Sequence, residues 1–385
     1  MRWLWCFLIL LACPCMAQTD GSATPADSLI LSADSITADS TLTADSHLLR
    51  ERIKENAKEI IRKLDRFDSD YIEPDHYDWT VMMQNTNFFQ NIIMSGRNAE
   101  GNVQDLSFNL KPSLKIGPYI GWRWIFFGYT VDVARPAKLG KATNLNLSVY
   151  TNMIGGDIFY LRNKGNYRLQ KTAGFQGVGK RQFRRQSFSG LNSYHFGVYV
   201  YFILNHRRFS YPAAYNQSTR QKLSAGSWIF GLRYDHQHIS FDYTQLPEPI
   251  LQTNGEESQL NPSLKFSQYK YSDYSLSAGY AYNWVFAKNW LANVSVAPYL
   301  GFRKEFGSTT QYNHILERFV HKIGVGMVCR AGIVWNNGKG FFGTSFITYD
   351  NLFHGKELLV ANSSNYLNIY GGFYFGLKKK YRLSK

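Results

Sequence analysis

Between Asp157 and Asp235 the chain carries thirteen Lys and Arg residues and no acid. Four of them, Lys180, Arg181, Arg184 and Arg185, crowd into six positions. Forked guanidinium groups match phosphate geometry, so this run reads as an anion-binding loop or as a solvated basic loop. A second basic set is spread along the chain: Lys111, Lys115, Arg123, Arg233, Arg303, Lys322 and Arg330. These fall on the polar side of alternating segments. Rings of such cations inside a pore favour anions. The alternative is a filled lumen in which they pair with inward carboxylates. Asp68, Asp70, Glu73, Asp75 and Asp78 form an acidic knot. It lacks the glycine and fixed order of a calcium loop and reads as solvated or Arg-paired.

Other chemistry is thinly supplied. His236 and His238 share one strand face, but two imidazoles are no zinc site without a third ligand. An acyl hydrolase would use His195 or His321 beside a serine, yet no Gly-x-Ser-x-Gly elbow occurs. Tyr199, Tyr201 and Asn283 share the face of His195 as ordinary barrel fillers. No catalytic residue, metal or cofactor is therefore expected, with lipid-modifying chemistry kept as an alternative. Net charge of +15 fits nucleic acid in sign, but an exported chain does not meet it.

The elements that position these residues alternate with period two. Segments near 79–88, 106–116, 122–133, 144–153, 157–163, 194–204, 225–241, 272–286, 290–303, 322–335, 341–350 and 366–378 set apolar against polar faces. In 106–116, Leu106, Phe108, Leu110, Leu114 and Ile116 share the apolar face. An antiparallel transmembrane β-barrel of about twelve strands, within ten to fourteen, follows. Tight turns near 117–121, 154–156, 287–289 and 336–340 alternate with long connections near 89–104, 134–143, 164–190, 242–265, 304–318 and 351–365. The connection at 205–224 is long where a short turn is due. Trp79, Trp122, Trp124, Trp228, Trp284, Trp290 and Trp335 all lie beside connections assigned to the periplasmic side, where indole rings prefer the headgroup level. Cys329 falls on the lipid side as a small apolar residue.

The N-terminus reads as an export signal. Met1-Arg2 precedes an apolar run at Trp3–Cys13, and Cys15 and Ala17 put small residues at the −3 and −1 sites before Gln18. Leu10–Cys13 also fits a lipobox. Mean hydropathy of −0.31 and the brevity of that run argue against spanning helices. The domain reading is a signal peptide at 1–17, a disordered low-complexity linker at 18–46 and an amphipathic helix at 47–67. An acidic segment at 68–78 leads into a barrel at 79–378, and a basic periplasmic tail occupies 379–385. Both termini are expected in the periplasm.

Three stretches carry a family likeness: 71–84 (Tyr-Ile-Glu-Pro-Asp-His-Tyr-Asp-Trp-Thr-Val-Met-Met-Gln), Lys115–Tyr129, and Phe209–Ser227 with Ser-Tyr-Pro-Ala-Ala-Tyr and Lys-Leu-Ser-Ala-Gly-Ser. Together they resemble DUF4421, uncharacterised outer-membrane β-barrel proteins of Bacteroidota. The likeness spans about 68–380. It implies fold and location and carries no activity. The expected function is a passive or gated pore for a small anionic solute. The alternatives are a non-conducting structural or lipopolysaccharide-binding barrel and a lipid-modifying enzyme. Expected partners are outer-membrane lipid, lipopolysaccharide, the barrel-assembly machinery and a periplasmic partner at 18–67.

Overall fold

The computed structural model describes residues 67–97, 101–111, 113–122, 125–128, 131–133, 142–251, 259–306, 322–355 and 357–382, with Arg52 and Glu55. The expected signal peptide and linker lie outside these residues. So does the amphipathic helix, except for Arg52 and Glu55, which are helical, and Phe67.

Aromatic and β-branched residues in alternation build long strands. In chain order they are β1 (Ile72–Pro74), β2 (Tyr77–Arg97), β3 (Val103–Leu110), β4 (Ser113–Trp122), β5 (Ile125–Gly128) and β6 (Val131–Asp132). Next come β7 (Ala142–Tyr150), β8 (Ile154–Lys164), β9 (Tyr167–Ala173), β10 (Gln186–Phe188), β11 (Leu191–Ile203) and β12 (Thr219–Gln221). The last six are β13 (Ala225–Phe241), β14 (Gln268–Ala287), β15 (Trp290–Phe306), β16 (Ile323–Asn336), β17 (Gly340–His354) and β18 (Leu358–Leu377).

The wall runs β4-β2-β18-β17-β16-β15-β14-β13-β11-β8-β7, with β5 and β6 on the far side of β4. All of its ladders are antiparallel. Counting β3 with β4 and β5 with β6 as single interrupted crossings, the described wall has twelve. Among the described residues no ladder joins β7 to β5 or β6, so the barrel is open along that seam.

The outer face is apolar. Leu232, Leu276, Val294, Leu300, Ile333, Ile369 and Phe373 are exposed around it, Leu276 to 67%. An exposed apolar surface running across so many strands is a lipid-facing belt. Trp79, Trp122, Trp228 and Trp284 are exposed at one end of it, with Trp290 and Trp335 half-buried beside them. We call this the tryptophan end; β2 begins there and β18 ends there. Trp124 is outside the described residues.

Three expectations need correction. The proposed long loops at 89–104 and 351–365 are mostly strand, because β2 runs on to Arg97 and β18 starts at Leu358. Connection lengths therefore alternate less than the sequence suggested. The turn expected at 117–121 lies inside β4. The face reading of 106–116 is half inverted. Leu106, Phe108 and Leu110 are buried, whereas Leu114 and Ile116 are exposed. The register against β2 slips by one residue between Asn91↔Asn109 and Phe88↔Ser113. A one-residue slip sends every later side chain to the opposite face.

Candidate functional site

The lumen is filled. At its waist Arg330 on β16 reaches across to Asp157 on β8, five strands away along the wall. Asp157 also accepts from Ser148 Oγ at 2.7 Å. On β13, Arg233 grips Asp235, one arm donating at 2.8 Å. His195 Nε2 meets the same carboxylate at 2.6 Å. Arg303 donates from Nε to Asp273 at 2.6 Å. Every member of these three pairs is buried, Arg303 to 1% exposure. Aromatic rings close the remaining space. Arg303 lies 4.0 Å over Tyr271, Arg233 4.9 Å over Tyr299, and Arg330 5.0 Å over Tyr201. Cation–π contacts of this kind strengthen when water is excluded.

An amide chain spans the lumen beside the ion pairs. Gln90 on β2 donates to Asn362 at 3.0 Å and accepts from Asn163 at 3.1 Å and Tyr167 at 2.8 Å. Asn362 donates to Gln237 at 3.2 Å, and Gln237 lies 3.2 Å from His195. Toward the loop end the filling turns apolar, with Ile92, Met94, Phe108, Phe188, Phe241 and Leu264 fully or nearly fully buried.

At the tryptophan end the connection 204–224 folds inward as a plug. Phe209, Ser210, Tyr211, Ala214 and Gln217 are buried on it, around the short helix α1 (Pro212–Tyr215). The wall holds it by polar contacts. Asn283 donates to Ser210 O at 2.8 Å, Tyr215 to Asn293 at 2.6 Å, and Tyr374 to Gln217 O at 2.8 Å. This explains the connection that was too long for a turn: it is lumen filling.

The acidic segment clips the plug from below. β1 pairs with β12, Glu73 opposite Arg220. Their side chains meet at 2.6 Å, Arg208 lies 3.5 Å from Asp68, and Lys222 donates to Ser69 O at 3.0 Å. Two acids of the knot, Asp68 and Glu73, are thus Arg-paired in a strap, and part of the acid-free interval is their counter-charge. A cleft of about 400 Å³ opens between strap and wall, lined by Arg220, Lys222, Lys288, Phe286 and Trp290 among others. Two of its three cations are already engaged, by Glu73 and Ser69.

Asp75 gives the strap a pH dependence. Burial pushes its carboxyl from 3.8 up to about 7, against hydrogen bonding to Tyr77 and the pull of Lys378 and Arg220. Folded, the strap keeps this proton to higher pH than the released segment does. Its stability therefore falls as pH rises from about 4 to about 7 and is level above. Amide exchange at 72–74 and 219–221, corrected for intrinsic rate, is expected to be faster at pH 8 than at pH 5. Asp75→Asn should flatten that difference; an unchanged profile would remove Asp75 as its source.

The structure separates the basic residues expected to share the lumen. Arg233, Arg303 and Arg330 are buried together there. Lys111, between β3 and β4, and Lys115 on β4 are half-buried, both already engaged. Arg123 lies outside the described residues, as does His321. Lys322 is a correction: its Nζ lies 5.6 Å over the ring of Phe302, which is exposed on the outer face. It sits where β16 has not yet begun, so strand parity does not reach it. Lys180, Arg181, Arg184 and Arg185 are exposed in the turn between β9 and β10, without an ion-pair partner among the described residues. His236 and His238 point outward rather than converging on a metal. His195 has Asp235 and Gln237 as hydrogen-bond partners, not a serine nucleophile. The lumen acids Asp157 and Asp273 were missed as partners. Their parity on β8 and β14 was the available signal.

Solved outer-membrane barrels are similar in outline. The outer membrane protease OmpT from Escherichia coli aligns with 77% of this chain and 97% of its own, at 6% identity and a TM-score of 0.33. OmpT of Vibrio cholerae aligns with 77% and 98%, at 8% identity and 0.23. The P. putida toluene transporter TodX aligns with 77% and 90%, at 9% identity and a TM-score of 0.20. No curated protein matches. A family model does, over residues 66–375, which is most of the chain. The chain belongs to the family described as Domain of unknown function (DUF4421).

Proposed function

We propose that the protein is an outer-membrane barrel that is sealed at rest and works through its ends rather than through its lumen. The observation that carries this is the waist: three buried Arg–Asp pairs, packed in aromatic rings, where a pore would hold water. Arginines already neutralised by aspartates offer an anion little attraction. At the loop end, unpartnered Lys180, Arg181, Arg184 and Arg185 support binding to phosphate groups of lipopolysaccharide. Lipid-modifying chemistry gains no support from the buried, paired His195.

The test is single-channel conductance in planar bilayers, for the mature chain and for a chain starting at Asp75. Both are expected to be silent while folded. Steps with anion selectivity in both would overturn the reading in favour of an open pore.

One observation favours a second reading, a gated pore for a small anionic solute. The strap ties the chain ahead of the barrel to the plug through β1 and β12. A periplasmic partner drawing on residues 18–67 would then act on the plug. Steps appearing only in the chain from Asp75 would select this reading.

A further inference from the structure

The outward face of the wall changes character toward the loop end. Along β13 the exterior residues run Trp228, Phe230, Leu232, Tyr234, His236, His238, while Arg233, Asp235 and Gln237 point inward. β14 runs Leu276, Tyr274, Ser272, Lys270, and β15 runs Leu300, Phe302, Lys304. β8 runs Ile158, Tyr160, Arg162. Apolar surface gives way to aromatic and then to basic residues on each.

The register brings these cations to one height. Arg162 opposes Tyr194, Tyr194 opposes His238, and His238 opposes Lys270, a single row across four adjacent strands. The next row places His236 opposite Ser272 and Ser272 opposite Lys304. Lys322 joins the same edge above Phe302. Strands lie about 4.8 Å apart, so the row is compact. The acids of these strands point the other way: Asp235 and Asp273 are in the lumen, and Glu305 accepts from Tyr269 at 3.1 Å.

Among the described residues, Arg162, Lys270 and Lys304 have no ion-pair partner, and His238 Nε2 is buried without a hydrogen bond. His238 faces Lys270 directly across the ladder, and an anion between them would favour that pairing. At the upper edge of a lipid belt the anion at hand is a headgroup phosphate. Tyr160, Tyr194 and Phe306 beside the row suit the chain–headgroup boundary.

We propose that this outward arc binds the phosphates of an outer-leaflet lipid held laterally against the wall. The footprint is Arg162, His238, Lys270 and Lys304, flanked by His236 and Lys322. Arg162 offers a fork to one phosphate, and the lysines act as point charges. The site is distinct from the turn carrying Arg181, which faces solvent above it. The proposal rests on the reading of the chain as an outer-membrane barrel, and needs no statement about conduction.

The test uses the full mature chain in neutral detergent, read by native mass spectrometry against bis-phosphorylated lipid A and its dephosphorylated form. The wild type is expected to hold the phosphorylated lipid and not the other. Arg162→Gln/Lys270→Gln/Lys304→Gln should weaken retention on the order of 100-fold, since each cation near an anionic surface contributes severalfold. Arg181→Gln/Arg184→Gln/Arg185→Gln is measured beside it to separate the two basic surfaces, and Lys339→Gln/Lys379→Gln, exposed at the tryptophan end, should leave retention nearly unchanged. Equal retention by the wall variant, or of the dephosphorylated lipid, overturns the proposal. Loss only in the turn variant overturns it too, yet leaves the loop-end reading standing. If the triple variant does not fold, Lys270→Gln alone and a salt titration decide: the proposal requires retention to fall in both.

Discussion

Arg330→Ala is expected to destabilise the folded barrel by about 3–5 kcal/mol, the usual consequence of removing one partner from a buried ion pair. The readout is the urea midpoint of protein in lipid vesicles, followed by tryptophan emission and by gel mobility. Asp157 would be left as a buried carboxylate whose remaining donor is Ser148. The vacated space would lie among Tyr199, Tyr201 and Tyr211, the rings that now pack around the guanidinium. Arg330→Met/Asp157→Leu removes both charges and should recover most of the loss, because a buried pair is often matched by apolar packing. Arg208→Ala removes a cation that is half exposed and 3.5 Å from Asp68, and should cost about 0–1 kcal/mol. A small effect of Arg330→Ala would mean that water reaches Asp157, and the sealed-lumen reading would fail with it.

Gly197→Val is the second large effect, at about 1–3 kcal/mol of overpacking. Gly197 on β11 is the direct cross-strand partner of Phe159 on β8. A Cβ at Gly197 would clash with the Phe159 ring, which lies across the glycine. That ring stands edge-on to His195 at 4.8 Å, packs on Tyr349 at 5.2 Å and faces Arg233 at 5.5 Å. Displacing it loosens the whole waist. Gly155 and Tyr201 repeat the arrangement four pairs along the ladder, with Tyr201 against Arg330. The cause is checked by a double-mutant cycle: in a Phe159→Ala background, Gly197→Val should cost much less. Equal costs in both backgrounds would show that the ring does not set the limit.

Much of the barrel was legible because period-two alternation is a local property. β13, β15, β16 and β18 show it cleanly, and their inward and outward residues follow from parity. Where parity breaks, reading ahead fails. Nothing around Lys111-Pro112 announces that Leu106 faces in and Leu114 out; the slip is defined only against β2. The loop expected at 89–104 failed for a related reason. Ile92 and Met94 are apolar yet point inward, so their strand does not contrast a polar lumen with an apolar exterior. The plug was visible only as a connection of the wrong length. Its buried Tyr211 and Gln217 look like loop residues until the wall surrounds them. The inward arginines could be placed on a face from sequence, but Asp157 and Asp235 stood out only as limits of an acid-free interval. Pairing Arg330 with Asp157 needs the curvature of the wall, which brings β16 opposite β8.

The ladder between β2 and β18, from Tyr77↔Leu377 to Gly96↔Leu358, joins the first and last long strands of the chain. Its partners are separated by almost the whole barrel sequence, whereas β13 to β17 pair with their immediate successors. Folding rates fall as contacts become less local, so the hairpins should form early and this ladder late. Until it forms, β2 and β18 each present a long row of unpaired amides and carbonyls, the template on which another chain can add a strand. The half-built wall is therefore the aggregation-prone form of this protein, and the meeting of its first and last strands ends that exposure.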